Sequence, residues 1–298
     1  MSTVPSEKAV VKRVTTDEAI KEVYLMSWKN TKDASGSLFN ANVFGEWYGF
    51  SKFMNDLDTQ NIRQFKNYCL NDLKYKPATL NRKLAALSKL ITHLRGIRGF
   101  RFEGGVPMVE YARERNARTF VVNDNLENLI VSTSNSTRYH YLTDLWRVLI
   151  NTGCRLSEIL SLEWEDILEN YIFIPEDRAK NGESRHVPIF EDTLKIFKSK
   201  KEAGLPRPFP YTIFHCEYAW RKIKKQMGME KEKEFVIHSL RHTCITRLLK
   251  RKVGIEIVQR IAGHKDIRMT LRYNHPTQQD IYDAVNVKGA ETLEKKAS

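Results

Sequence analysis

The 298-residue sequence has little cysteine, and what it has is scattered. Cys69, Cys154, Cys216 and Cys244 form no CxxC pair. That spacing argues against a zinc ribbon and a disulfide framework and favours buried, inert thiols in a reducing cytosol. No run of eighteen or more uncharged apolar residues occurs, so no helical membrane span is expected. The opening stretch MSTVPSEKAVVKR lacks the apolar segment of a secretory signal. No internal repeat or low-complexity tract stands out either.

Acidic residues are scarce in two places. Between Asn61 and Arg101 ten Lys or Arg side chains face a single acid, Asp72. Between Trp220 and His275 fifteen basic side chains face five acids. The first sixty residues are close to neutral, and the whole chain carries a formal charge of +13. Such a balance points to a polyanionic partner, and without a membrane segment nucleic acid is the better reading. Two separate basic regions can act as two jaws on one duplex. The alternative is a pair of solvated helix faces.

The apolar spacing predicts a mainly α fold with a small antiparallel β-sheet. Residues 1–16 are polar and read as an N-terminal tail. Residues 17–103 read as an all-helical unit, with Asp17 as a possible cap and with Leu80, Leu84, Leu87 and Leu90 marking one face of a helix opened by Pro77. On that helix Asn81, Arg82 and Lys83 are expected to lie away from the core. Gly104, Gly105 and Pro107 mark a linker over 104–118. A mixed α+β unit is expected over 119–276. It includes a β-hairpin from Tyr171–Pro175 and His186–Phe190 around Asn181-Gly182. Residues 277–298 read as a C-terminal tail.

Four short elements follow one another within this second unit: TGCRLSE around Arg155, AKNGESRHVPI around Lys180, HSLRH from His238 to His242, and Gly263-His264 with Tyr273 nine residues on. Each alone is weak. In this order and spacing they resemble the catalytic domain of the tyrosine recombinase family, which includes phage integrases and Xer-type resolvases. The preceding helical unit resembles that family's core-binding domain. The resemblance covers nearly the whole chain after residue 16. It implies a site-specific DNA recombinase that forms a 3′-phosphotyrosyl intermediate, with Tyr273 as nucleophile.

The residue types suit that chemistry. Attack on a phosphodiester builds negative charge on phosphate oxygens, and guanidinium forks bind two oxygens while staying charged. By resemblance Arg155 and Arg241 take this role, and His238 and His264 add donors or help to take the tyrosine proton. Lys180 matches the family's hairpin lysine, which protonates the leaving 5′ oxygen. Glu158 and His242 are supporting residues. No metal and no cofactor are implied, because cationic side chains do a metal's work and the phosphotyrosyl bond conserves the energy of the broken linkage. Thr79, Asn81, Arg82 and Lys83 match a polar DNA-contacting cluster of the family.

Each assignment has a plainer rival. Arg155 and Glu158 can be a surface ion pair, and Lys180 a solvated turn lysine. His238 and His242 are four apart, yet the HExxH glutamate is missing and Arg241 lies between them, which disfavours zinc. Tyr273 is one of twelve tyrosines, with Tyr282 as a nearby competitor. At the level of function the rivals are a type IB topoisomerase and a non-catalytic DNA-binding regulator. The expected partners are double-stranded DNA, further copies in a tetramer on paired sites, and accessory DNA-bending or directionality proteins. In the family, tails such as 277–298 dock on a neighbouring subunit. The short, phage-like arrangement of the chain tilts the reading to a phage or mobile-element integrase, working on DNA in the cytoplasm of a bacterial or archaeal host.

Overall fold

A computed structural model of the chain describes residues 11–114, 120–179, 182–274, 278–279, 281–283 and 285–286. The chain divides into two compact units, Met1–Asn116 and Ala117–Ser298.

The first unit is built on helices α1 (Thr16–Val23), α2 (Ala34–Tyr48), α3 (Thr59–Asn71) and α4 (Pro77–Arg95). Thr15, not Asp17, caps α1. Its side chain accepts from the Glu18 backbone N–H while Glu18 reaches back to Thr15, a reciprocal capping box. Asp17 instead sits in the first turn, where its charge suits the helix dipole, and it pairs with Lys21 at 2.6 Å. Pro77 opens α4 at a position where its missing N–H costs nothing. Leu80, Leu84, Leu87, Leu90 and Leu94 are then fully buried. Against them pack α2 and α3, with Phe44 edge-on to Phe65 at 5.3 Å.

The same helical period corrects one expectation. Position 83 lies three residues after Leu80 and four before Leu87, on the core side, and Lys83 is only 4% exposed. Its Nζ donates to Asn40 Oδ1 at 2.7 Å and lies over the rings of Phe39 and Tyr75. Burial pulls its ammonium pKa down. Lys83 is thus a structural lysine rather than part of an exposed DNA-facing cluster. Asn81 is also engaged, exchanging hydrogen bonds with the Ala112 backbone at 2.8 and 2.9 Å. Residues up to 114, assigned above to a linker, therefore lie against this unit. Arg82 remains exposed and Thr79 half-buried.

The second unit contains α5 (Asp124–Asn135), α6 (Thr143–Thr152), α7 (Leu156–Leu160), strands β1 (Tyr171–Ile174) and β2 (Arg185–Pro188), then α8 (Glu191–Glu202), α9 (Ile213–Gln226), α10 (His238–Lys250), α11 (Ile255–Ala262) and α12 (Ile267–Leu271). The strands pair antiparallel, with Tyr171 opposite Pro188 and Ile174 opposite Arg185, in a two-stranded sheet. This is the mainly helical fold with a small antiparallel sheet that the spacing predicts. Its core centres on Trp146, edge-on to Trp220 at 5.1 Å, with Phe235 against Trp220 at 5.0 Å. All four cysteines are buried free thiols, and burial pushes Cys69 up to about 11 and Cys216 and Cys244 up to about 12. No helix among the described residues is long and apolar enough to cross a membrane.

Candidate active site

Two helix ends organise the site. Gly153 after α6 and Gly263 after α11 both adopt left-handed backbone, φ +65° and +64°, which stops each helix. A helix C-terminus leaves carbonyl groups without intrahelical partners and carries partial negative charge. At the end of α11 three arginines use those carbonyls. Arg185 Nε donates to Ile261 O at 3.1 Å, Arg241 Nη2 to Ala262 O at 2.6 Å, and Arg155 Nη2 to Gly263 O at 3.1 Å. Arg241 Nη1 also donates to Gly153 O at 2.7 Å, which ties the two helix ends together.

One carboxylate faces these three guanidinium groups. Glu158, 1% exposed on α7, accepts from Arg155 Nη1 at 2.7 Å and from the Arg155 backbone N–H at 2.8 Å. Arg185 spans both of its oxygens, at 2.7 and 3.2 Å. The pair Arg155–Glu158 is therefore buried and is not a surface ion pair. Three fixed positive charges against one negative leave a surplus suited to a bound anion.

The nucleophile candidate stands beside this cluster. Asp266 caps α12, and Tyr273 lies two residues past its end, donating its backbone N–H to Thr270 O at 3.0 Å. The Tyr273 ring stacks on His264 (6.2 Å, 12°) and packs on His242 (5.0 Å, 36°). His242 in turn meets His238 edge-on at 4.8 Å. His264 is 7% exposed, with Nδ1 2.9 Å from Thr270 Oγ1. His238 is exposed at the first position of α10. Arg155, His238 and Arg241 line one open cleft together with Ile213, Phe214 and Trp220. Lys180 lies outside the described residues. Tyr282 is exposed.

Residues 119–280 match the family model described as the phage integrase family. The chain belongs to the phage integrase family. Among similar proteins, a tyrosine recombinase of Thermosipho africanus is 24% identical over 244 residues, covering 78% of this chain and 86% of that protein. The integrase of Escherichia phage 186 is 26% identical over 71% of this chain and 60% of its own length. In fold, the chain is similar to the Tn1549 transposon integrase solved with transposon right end DNA, with a TM-score of 0.74 at 17% identity over 92% of this chain and 99% of that one. The family is that of DNA strand-transferring recombinases and integrases. This is the function the motif order favours over a type IB topoisomerase or a regulator.

The electrostatics of this integrase-family site follow from burial among like charges. Burial pulls Arg241 down to about 10, helped by Arg155; it still carries its charge at neutral pH. Burial works against the Glu158 charge, but the Arg185 hydrogen bonds and the two guanidinium charges win and hold its carboxyl below the usual range. Burial raises the Tyr273 hydroxyl, only partly offset by Arg241, Arg272 and Arg155. Burial lowers His264 to about 4, with Arg241, Arg155 and Arg185 adding to the effect. His264 is therefore neutral at neutral pH.

His264 also sets a pH window. An imidazole whose folded pKa lies below its ordinary 6.5 contributes stability that is full above that value and is lost as pH falls towards about 4. Over that window the second unit is expected to lose about 3 kcal/mol. Thermal melts from neutral to mildly acid pH check this, and in His264→Gln the loss over this window should shrink. An unchanged pH slope in the variant would assign the loss to another group.

Arg185 is the residue that reading the motifs missed. It lies inside the AKNGESRHVPI element, and the period of β2 holds the clue. Arg185 alternates with exposed His186 and shares its face with fully buried Val187.

Proposed function

We propose that this chain binds double-stranded DNA and cuts one strand by attack of Tyr273 Oη on the phosphorus of a phosphodiester. The P–Oη bond forms and the P–O5′ bond breaks, leaving a 3′-phosphotyrosyl linkage and a free 5′ hydroxyl. A second strand's 5′ hydroxyl then reverses the step and rejoins the DNA. The observation that carries this reading is the placement of Tyr273 beside His264 and a cluster of three guanidinium groups around one carboxylate.

Arg155 and Arg241 hold the non-bridging oxygens, joined by His238. Each well-placed donor gives a few kcal/mol, about 10²–10³ in rate. Neutral His264 or a phosphate oxygen takes the tyrosine proton, and Lys180 returns one to O5′. Arg82 and Thr79 offer phosphate contacts from the first unit, so affinity falls steeply with salt. The working form is a tetramer on paired sites, with 277–298 docking between subunits and with accessory proteins setting direction. Integration or excision of a mobile element in a bacterial or archaeal cell is the setting that fits best.

Nicked suicide duplexes test the reading. Incubation should yield a covalent adduct that peptide mapping places at Tyr273, and paired sites should exchange strands. No adduct on any candidate site would favour a DNA-binding regulator. An adduct without exchange between duplexes, together with relaxation of supercoiled plasmid, would favour a topoisomerase.

A further inference from the structure

We infer that Arg185 is a positioning residue for strand cleavage, acting through Glu158 and the end of α11 to fix the guanidinium of Arg155. The inference rests on the reading that Tyr273 cuts DNA at this site. Arg185 stands on β2, and its side chain is 7% exposed against 15% for Arg155, the less accessible of the two guanidinium groups on Glu158. Its donors point inward. Nη2 and Nη1 grip the two oxygens of Glu158, and Nε donates to Ile261 O.

This grip decides how Glu158 meets Arg155. Oε1 of Glu158 takes Arg155 Nη1, while Oε2 takes the Arg155 backbone N–H. The carboxylate must keep one rotation for both bonds to hold, and the bidentate Arg185 fork fixes that rotation from behind. Arg155 then has one guanidinium nitrogen on Glu158 and the other on Gly263 O, so its plane is set from two sides.

The second side is also in contact with Arg185. A Cβ added to Gly263 would come within 3.0 Å of Arg185 Nε, Cζ and Nη1, so the guanidinium lies flat against that glycine. Gly263 supplies the carbonyl that receives Arg155 and directly precedes His264. Arg185 thus supports both anchors of Arg155. A lysine keeps the charge but lacks the planar fork that grips both carboxylate oxygens. Arg185→Lys therefore separates charge from geometry.

The test uses the full chain and single-turnover cleavage of a suicide duplex bearing a normal or a methylphosphonate scissile group. Arg185→Lys and Arg185→Met are compared with Arg155→Lys and with the double variants. We expect each single Arg185 variant to cleave at least about tenfold slower with DNA affinity unchanged. The double variants should be no slower than Arg155→Lys alone, because one fault already contains the other. The methylphosphonate diastereomer that best relieves Arg155→Lys should also relieve Arg185→Lys, a stereochemical signature that general loosening of the fold does not produce. Multiplying defects, or an Arg185→Lys variant as fast as wild type, would overturn the inference. If Arg185→Met does not fold, Arg185→Lys alone carries the comparison. Failure of the wild-type chain to cleave would count against the cleavage reading itself.

Discussion

Tyr273→Phe is expected to abolish the covalent DNA adduct and to slow strand cleavage by at least about 10⁴-fold, while leaving DNA affinity and melting temperature close to wild type. Phe fills the same space against the His264 and His242 rings, so packing is kept. Only the hydroxyl is lost, and with it the atom proposed to hold the cut strand. Water attack cannot substitute, because its product would not rejoin.

The state of that hydroxyl matters to the expected pH profile. Burial keeps it protonated in the free protein despite the opposing charges of Arg241, Arg272 and Arg155. Attack therefore needs a proton acceptor at the moment the P–Oη bond forms, the role proposed above for neutral His264, whose ring stacks on Tyr273. His264→Asn should accordingly keep a residual rate that rises with pH, whereas Tyr273→Phe should show none at any pH. An adduct that survives in Tyr273→Phe would move the nucleophile elsewhere, with Tyr282 the first candidate.

The helical fold was legible because apolar period and breakers agree. The leucines of α4, the glycines after α6 and α11, and the alternation around Asn181-Gly182 all name their elements in advance. The site's charged members were legible by type and order, since chemistry at a phosphate needs fixed cations and a nucleophile. What escaped were contacts with no letter of their own. Three arginines rest on the backbone carbonyls of Ile261, Ala262 and Gly263, and any residue there supplies the same oxygen. Glu158 read as a local partner of Arg155, because a second arginine 27 positions away is invisible to helical spacing. Lys83 misled for another reason: a lysine usually marks a solvated face, yet its long stem can cross a core edge and satisfy its amine on Asn40.

Glu158→Gln should be the most damaging substitution for stability. The carboxylate is the one negative charge held between Arg155 and Arg185, and it is wholly buried. An amide keeps the shape but removes the charge, and turns an N–H₂ donor towards guanidinium donors. Removing one partner of a buried pair costs about 3–5 kcal/mol, which lowers the second unit's Tm by about 10 °C. Wild type should also show an acid step. A carboxyl held below its ordinary value contributes stability that is present above that ordinary value and is lost as pH falls through the lowered one. That step begins at 4.5, at the acid end of the His264 window, and should be absent in Glu158→Gln. Adding Arg185→Met to a Glu158→Leu chain removes both buried charges of the second pair and should restore a large part of the lost stability, since well-packed apolar side chains often replace buried ion pairs at little cost. Cleavage should not return with it, because Arg155 would then have no carboxylate to set its plane. Melting and cleavage measured on the same double variant separate the two roles of Glu158. Recovery of both together would mean that Glu158 serves stability alone.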